Sequence, residues 1–135
     1  MSLTIDSYAW IELIRGTNLG VRSKGLIDAA EQTFTPSIVL VEVAHRCLRD
    51  GMEESVVQQE LRSMSESSMV VPIDIGLASA ASQATTELRE RARARRIPLP
   101  GLGDGLVLAT ARKFGTRVLT GDVHFEGLSE TLWLA

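Results

Sequence analysis

Four carboxylates stand where mainly apolar runs of this sequence begin or end: Asp6, Glu42, Asp104 and Asp122. The ends of buried elements gather along one edge of a parallel sheet, so we expect the four side chains to converge in one cleft. Two bare carboxylates about 5 Å apart repel each other by roughly 3 kcal/mol at an effective dielectric of about 20. The sequence therefore predicts a cleft that binds a divalent cation or holds its acids protonated.

Each acid also has a simpler structural explanation. Asp6 and Asp104 stand where an aspartate caps a helix, and Asp122 stands where one closes a turn. Glu42 lies four residues before Arg46, with which it would form an ion pair on a solvated helix face. Because all four acids occupy the same kind of position, we interpret them together as a site.

The other metal-binding residue types are scarce. Cys47 is the only cysteine, which excludes an intramolecular disulfide and a thiolate cluster. His45 and His124 lack the spacing of a helical histidine pair, so we interpret both as ordinary core or surface residues. Oxygen ligands remain, and these favour Mg²⁺, Mn²⁺ or Ca²⁺ over structural zinc.

The composition predicts one domain over residues 1–135, in which 44% of the residues are hydrophobic. No basic segment followed by an apolar one opens the chain, and no apolar run reaches membrane-spanning length. We therefore expect a cytoplasmic protein without membrane contact. The net charge of −3 argues against a generally basic nucleic-acid binder.

Strand and helix patterns alternate along the chain. The predicted strands are 2–5, 34–36, 69–73, 117–120 and 131–134, and the predicted helices are 7–15, 20–32, 37–50, 53–66, 75–95 and 104–115. This order predicts an α/β fold with a mainly parallel sheet and helices on both faces. On the third helix the predicted buried stripe is Val41, Ala44 and Leu48.

Positive charge is concentrated at the end of the fifth predicted helix, where five arginines fall within residues 89–96. Arg89, Arg93 and Arg96 share one stripe of that helix. One or two arginines there would be explained by the helix dipole alone. Five of them favour a surface that holds phosphates beside the acidic cleft.

Other interpretations of the acidic edge differ in the residues that they need. The glycines of residues 101–105 suggest a dinucleotide loop, but Leu106 stands where that motif needs glycine. A dehalogenase-like phosphatase would need a second aspartate where this chain has Tyr8. A non-catalytic interaction module, whose acids only cap helices, remains an alternative.

Four segments carry a resemblance to the PIN-domain nucleases, and specifically to the VapC-type toxins: residues 6–12, 41–44, 99–104 and 119–125. The resemblance implies a Rossmann-like three-layer α/β/α sandwich and acids that bind Mg²⁺ or Mn²⁺ for RNA cleavage. The residues that match the family's acids are Asp6, Glu42, Asp104 and Asp122, and Thr120 matches its active-site hydroxyl. Glu126 is a loose counterpart of a further family acid.

We assign Asp6, Glu42 and Asp104 to the principal ion, and Asp122 to a second ion or to the surrounding water. The resemblance also implies an RNA substrate, a homodimer and a small antitoxin; a nuclease that processes ribosomal or transfer RNA is the alternative. The apolar side chains that would line a groove for the antitoxin are Tyr8, Trp10, Ile11, Leu13 and Val56.

Overall fold

The computed structural model describes all residues, 1–135. The strands are β1 (Leu3–Ile5), β2 (Thr33–Pro36), β3 (Met69–Val71), β4 (Arg117–Thr120) and β5 (Thr131–Trp133). The α-helices are α1 (Ser7–Arg15), α2 (Asn18–Ala29), α3 (Ser37–Arg49), α4 (Glu54–Ser67), α5 (Ile75–Arg95) and α6 (Leu102–Phe114). A short 3₁₀ turn covers Val123–Phe125.

One sheet with the order β3-β2-β1-β4-β5 forms the centre, and every strand pair is parallel. Helices α1 to α4 contact one another, while α6 packs on the sheet and α5 packs on α6. Because parallel crossovers are right-handed, these two groups cover opposite faces. The predicted three-layer α/β/α sandwich is confirmed. The strand order reverses between β1 and β4, and ligands of such sheets bind beyond the strand ends at that point.

The predicted element boundaries are right to within about two residues, except in α2. Thr17 caps this helix by accepting a hydrogen bond from the amide of Gly20, so α2 begins two residues earlier than predicted and also ends earlier, at Ala29. Helix α6 likewise begins at Leu102, with Gly101 as its cap, so Asp104 lies in the first turn instead of opening the helix.

The predicted buried stripe of α3 is wrong. Val41 and Leu48 are 62% and 49% exposed, whereas Val39, Val43 and Cys47 are buried in the core. Both stripes have helical spacing and apolar residues, so periodicity alone does not distinguish them. The observed rotation of α3 is the one that directs Glu42 towards the end of β1.

Trp10 lines the groove between α1, α2 and α4, but it is more deeply buried than we expected. Its side chain is only 3% exposed, and its indole N–H donates to the Thr35 hydroxyl at 3.1 Å. The same groove is also lined by Leu13, Ile14 and Met64. Val56 is exposed but does not line it.

None of the six α-helices combines the length and the apolar character that crossing a bilayer requires.

Candidate metal centre

Asp6 lies at the carboxyl end of β1, the central strand of the sheet. One carboxylate oxygen accepts from the amide of Ser7 at 2.8 Å, so Asp6 does cap α1 as the simpler explanation held. The other oxygen faces the cleft, and the side chain is 2% exposed. Burial, together with the charges of Asp104 and Asp122, raises the pKa of Asp6 to about 7. Asp6 can thus cap α1 and belong to the site at the same time.

Thr120 ends the neighbouring strand β4 and connects two of the acids. Its hydroxyl donates to Asp6 Oδ2 at 2.7 Å and accepts from the amide of Asp122 at 3.0 Å. Because the hydroxyl is fully buried, it holds Asp6 and the start of the Asp122 turn in a fixed relation across the topological switch point. Asp122 also caps the 3₁₀ turn, as a turn aspartate would.

Glu42 reaches the same cleft from α3. The alternative ion pair with Arg46 is absent, since Arg46 pairs with Asp50 at 3.2 Å. Glu42 Oε1 is buried and has no hydrogen-bond partner. Burial first, and then the charges of Asp6 and Asp122, raise the pKa of Glu42 to about 7.

Asp104 lies in the first turn of α6, where it faces the other three acids. Burial is again the largest cause of its raised pKa, about 7, and the charge of Asp122 adds to it. The charge of His124 acts in the opposite direction. A side-chain oxygen of Asp104 lies 3.8 Å from His124 Nδ1.

His124 is a site residue that the sequence-based interpretation as an ordinary core or surface residue misses. Its Nδ1 lies 2.8 Å from Asp122 Oδ1, and its Nε2 lies 2.7 Å from the carbonyl oxygen of Pro98. Burial opposes a charge on the ring, but the Pro98 carbonyl and the two aspartates outweigh it, so the pKa of His124 is raised. The sequence signal that could have identified His124 is its position two residues after Asp122. The spacing between the two histidines does not show this relation.

The structure thus brings all four predicted acids to one edge of the sheet. Ligand atoms of Asp104, Asp122 and His124 lie within 4.8 Å of one another, and the charges of Asp6 and Glu42 act on the same group. A buried oxygen without a partner and three carboxyl groups whose pKa is raised to about 7 show that ionised acids are disfavoured in this cleft unless a cation accompanies them. Oxygen donors of this kind fit a hard divalent cation such as Mg²⁺ or Mn²⁺.

The arginines at the end of α5 divide into two groups. Arg91 and Arg95 donate to the carbonyl oxygens of Glu126 and Val123, at 2.9 and 2.8 Å, so they fasten α5 to the 3₁₀ turn. Arg93 and Arg96 are exposed and make no ion pair or side-chain hydrogen bond. The end of helix α5 therefore has two faces. Arg91 and Arg95 attach it to the 3₁₀ turn, and Arg93 and Arg96 form a free cationic face.

Two other residues named from the sequence, Arg89 and Glu126, have partners that are not acids of the cleft. Arg89 Nε donates to the Pro100 carbonyl at 3.0 Å, which leaves its terminal nitrogens without a hydrogen bond. The Glu126 carboxylate is half exposed and pairs with Arg95 at 3.3 Å. Glu126 thus contacts an arginine, and no acid of the cleft.

The sequence matches one known family. The family model described as the PIN domain matches residues 3–130. No curated protein sequence matches significantly.

Solved structures of low sequence identity share the fold over nearly their whole length. A toxin-antitoxin complex from Klebsiella pneumoniae matches with a TM-score of 0.70 at 17% identity, covering 98% of each chain. VapBC2 from Rickettsia felis, bound to a promoter DNA fragment, matches with 0.70 at 13% identity, covering 98% of this chain and 97% of that one. VapC20 from Mycobacterium tuberculosis, a sarcin-ricin loop cleaving toxin, matches with 0.72 at 18% identity, covering 94% and 95%.

Proposed function

The chain belongs to the PIN domain family, and on that premise we propose that it is a metal-dependent endoribonuclease, the toxin of a type II toxin-antitoxin pair. The observation that supports this most is the cleft itself. Four acids share it, two after the ends of β1 and β4, one from the middle of α3 and one from the first turn of α6, and Glu42 Oε1 is buried there without a partner. Such an arrangement is costly for a protein that does not bind a cation.

The residues divide the work of phosphodiester hydrolysis. Asp6, Glu42, Asp104 and Asp122 would hold Mg²⁺ or Mn²⁺, and the ion would polarise the phosphate and lower the pKa of a water nucleophile. Thr120 keeps Asp6 in position through its 2.7 Å hydrogen bond. The acids alone would repel an RNA backbone, so the cation serves substrate binding as well as chemistry.

RNA is the proposed substrate, and the free cationic face of α5 is its proposed phosphate contact. Arg93 and Arg96 are exposed without protein partners, and the terminal nitrogens of Arg89 are free. Unpaired guanidinium groups bind phosphate oxygens well. The structurally similar VapC20 is a sarcin-ricin loop cleaving toxin, which supports the same substrate class here.

The proposed protein partner is a small antitoxin, since several of the matching structures are toxin-antitoxin complexes. The groove between α1, α2 and α4 offers apolar Leu13, Ile14 and Met64, with the acid Glu60 at its edge. This combination fits an amphipathic segment that carries basic residues. A homodimer in the cytoplasm is the proposed state of the free toxin.

The test is RNA cleavage by purified protein, with Asp6→Asn and Asp104→Asn as the changes. We expect both to abolish cleavage while the far-ultraviolet circular dichroism stays native. Asp28→Asn is the matched control, because Asp28 is exposed on α2 and pairs only with Lys24. Undiminished cleavage in excess chelator would overturn the metal-dependent mechanism.

Co-expression tests the toxin assignment separately. The product of a neighbouring gene should form a tight complex with the chain and inhibit its cleavage of RNA. If the active nuclease is harmless when overexpressed and binds no such product, an RNA-processing role replaces the toxin role.

A further inference from the structure

We infer that His124 Nδ1 is itself a ligand of the cation, so that a nitrogen joins the carboxylate oxygens of the centre; this rests on the proposed metal-dependent function. The residue lies in the 3₁₀ turn Val123–Phe125, directly after the strand that carries Thr120. The resemblance assigns the ions to acids alone. We add His124 to the ligands because it lies among these acids in the structure.

The first argument is distance. His124 Nδ1 lies 2.8 Å from Asp122 Oδ1 and 3.8 Å from Asp104 Oδ2. Neighbouring ligands of an octahedral ion with bonds of about 2.1 Å are about 3 Å apart. The Asp122 and His124 atoms therefore have the spacing of neighbouring ligands, and Asp104 lies near them, with all three ligand atoms within 4.8 Å of one another.

Access gives the second argument. The side chains of His124 and Asp104 are each 17% exposed, and that of Asp122 is 29% exposed. The group is thus enclosed enough to fix its ligands and open enough for an ion and its water to enter. Asp6, at 2% exposure, forms the closed inner end of the same cleft.

The third argument is the orientation of the ring. His124 Nε2 lies 2.7 Å from the carbonyl oxygen of Pro98, an oxygen that only accepts hydrogen bonds, so Nε2 carries a hydrogen. Proteins orient metal-binding imidazoles in this way, with one ring N–H on a backbone carbonyl and the other nitrogen on the metal. Coordination through Nδ1 requires the tautomer that keeps the hydrogen on Nε2, and any proton on Nδ1 would pass to solvent when the ion binds.

A nitrogen ligand changes the expected choice of metal. Imidazole suits Mn²⁺ and later transition metals, whereas Mg²⁺ takes oxygen almost exclusively. The centre should therefore bind Mn²⁺ more tightly than an all-carboxylate centre would, relative to Mg²⁺.

Pulsed electron paramagnetic resonance of the Mn²⁺-loaded, untagged protein tests the inference. The chain has 2 histidines, so His45→Gln leaves His124 as the only one, and His45 is exposed on α3. Electron spin-echo modulation should show one directly bound nitrogen. Labelling histidine with ¹⁵N should convert that signal from ¹⁴N to ¹⁵N.

A second measurement uses binding affinities. His124→Gln should weaken Mn²⁺ binding by about tenfold or more, and it should weaken Mg²⁺ binding by clearly less. Bound Mn²⁺ without a histidine-nitrogen signal overturns the inference and leaves the proposed function intact. An equal loss for both ions also overturns it, because His124 would then only position the acids. Failure of the unaltered protein to bind either ion would instead overturn the proposed metal-dependent function.

Discussion

Glu42 lies directly against Gly103: a β-carbon at position 103 would stand 2.7 Å from Glu42 Oε2. Gly103→Ala should therefore displace the carboxylate from the cleft while leaving the fold intact, because alanine favours the helical backbone over glycine by about 1 kcal/mol. We expect Mn²⁺ affinity, measured by isothermal titration calorimetry, to fall about tenfold, with a melting temperature equal to or above that of the unaltered protein.

The matched control is Gly101→Ala, two residues earlier. A β-carbon at position 101 meets nothing within 4 Å, and the φ of −90° suits alanine. Its metal affinity should be unchanged. Equal affinities for both variants and the unaltered protein would show that Glu42 does not bind the cation.

The stability of the metal-free protein should depend on pH. Asp6, Glu42 and Asp104 have pKa values of about 7 in the fold, against ordinary values of 3.8, 4.5 and 3.8. The folded state then binds more protons than the unfolded state between about pH 4 and pH 7, so stability falls as pH rises through this window. Thermal melts in chelator should show this fall, and added Mg²⁺ or Mn²⁺ should reverse it. A flat profile in chelator would contradict the coupling of the three acids.

Asp6→Asn should remove part of that pH dependence. The neutral amide avoids the charge that burial and the neighbouring acids oppose, so we expect metal-free Asp6→Asn to melt about 3 °C or more above the unaltered protein at pH 8. The control is Asp28→Asn, whose exposed carboxylate lies outside the cleft. A lower melting temperature for Asp6→Asn would mean that its hydrogen bonds with Ser7 and Thr120 outweigh the repulsion.

The free cationic face of α5 should contribute to the salt dependence of RNA binding. Each lost phosphate contact lowers the slope of log affinity against log salt by about 0.7 for single strands. The double change Arg93→Ala with Arg96→Ala should thus flatten the slope by about 1.4 and leave the melting temperature unchanged.

Two comparisons make that measurement specific. Arg49→Ala with Arg62→Ala removes the same charge from exposed positions on α3 and α4, and its slope should match that of the unaltered protein. Arg91→Ala with Arg95→Ala should mainly lower stability, because these side chains fasten α5 to the 3₁₀ turn. Equal slopes in all variants would show that Arg93 and Arg96 do not contact RNA phosphates and that the end of α5 is an ordinary solvated helix end.

Local sequence signals were enough to predict the alternation of strands and helices and to single out the four acids as a group. Apolar runs, glycines after helices and the cap at Asp74 act over a few residues, and Asp74 does accept from the amide of Leu77 at 2.7 Å. Because parallel strands end at one edge, the positions of Asp6 and Asp122 after their strands already implied a shared cleft.

Only the tertiary structure decided how the helices are rotated and which distant groups meet. The buried stripe of α3 and the burial of Trp10 depend on packing against the sheet, which two equally apolar helix faces do not reveal. The placement of His124 depends on the Pro98 carbonyl, 26 residues earlier in the chain. Arg91 likewise finds its partner carbonyl 35 residues away, so the division of the arginines exists only once the chain has folded.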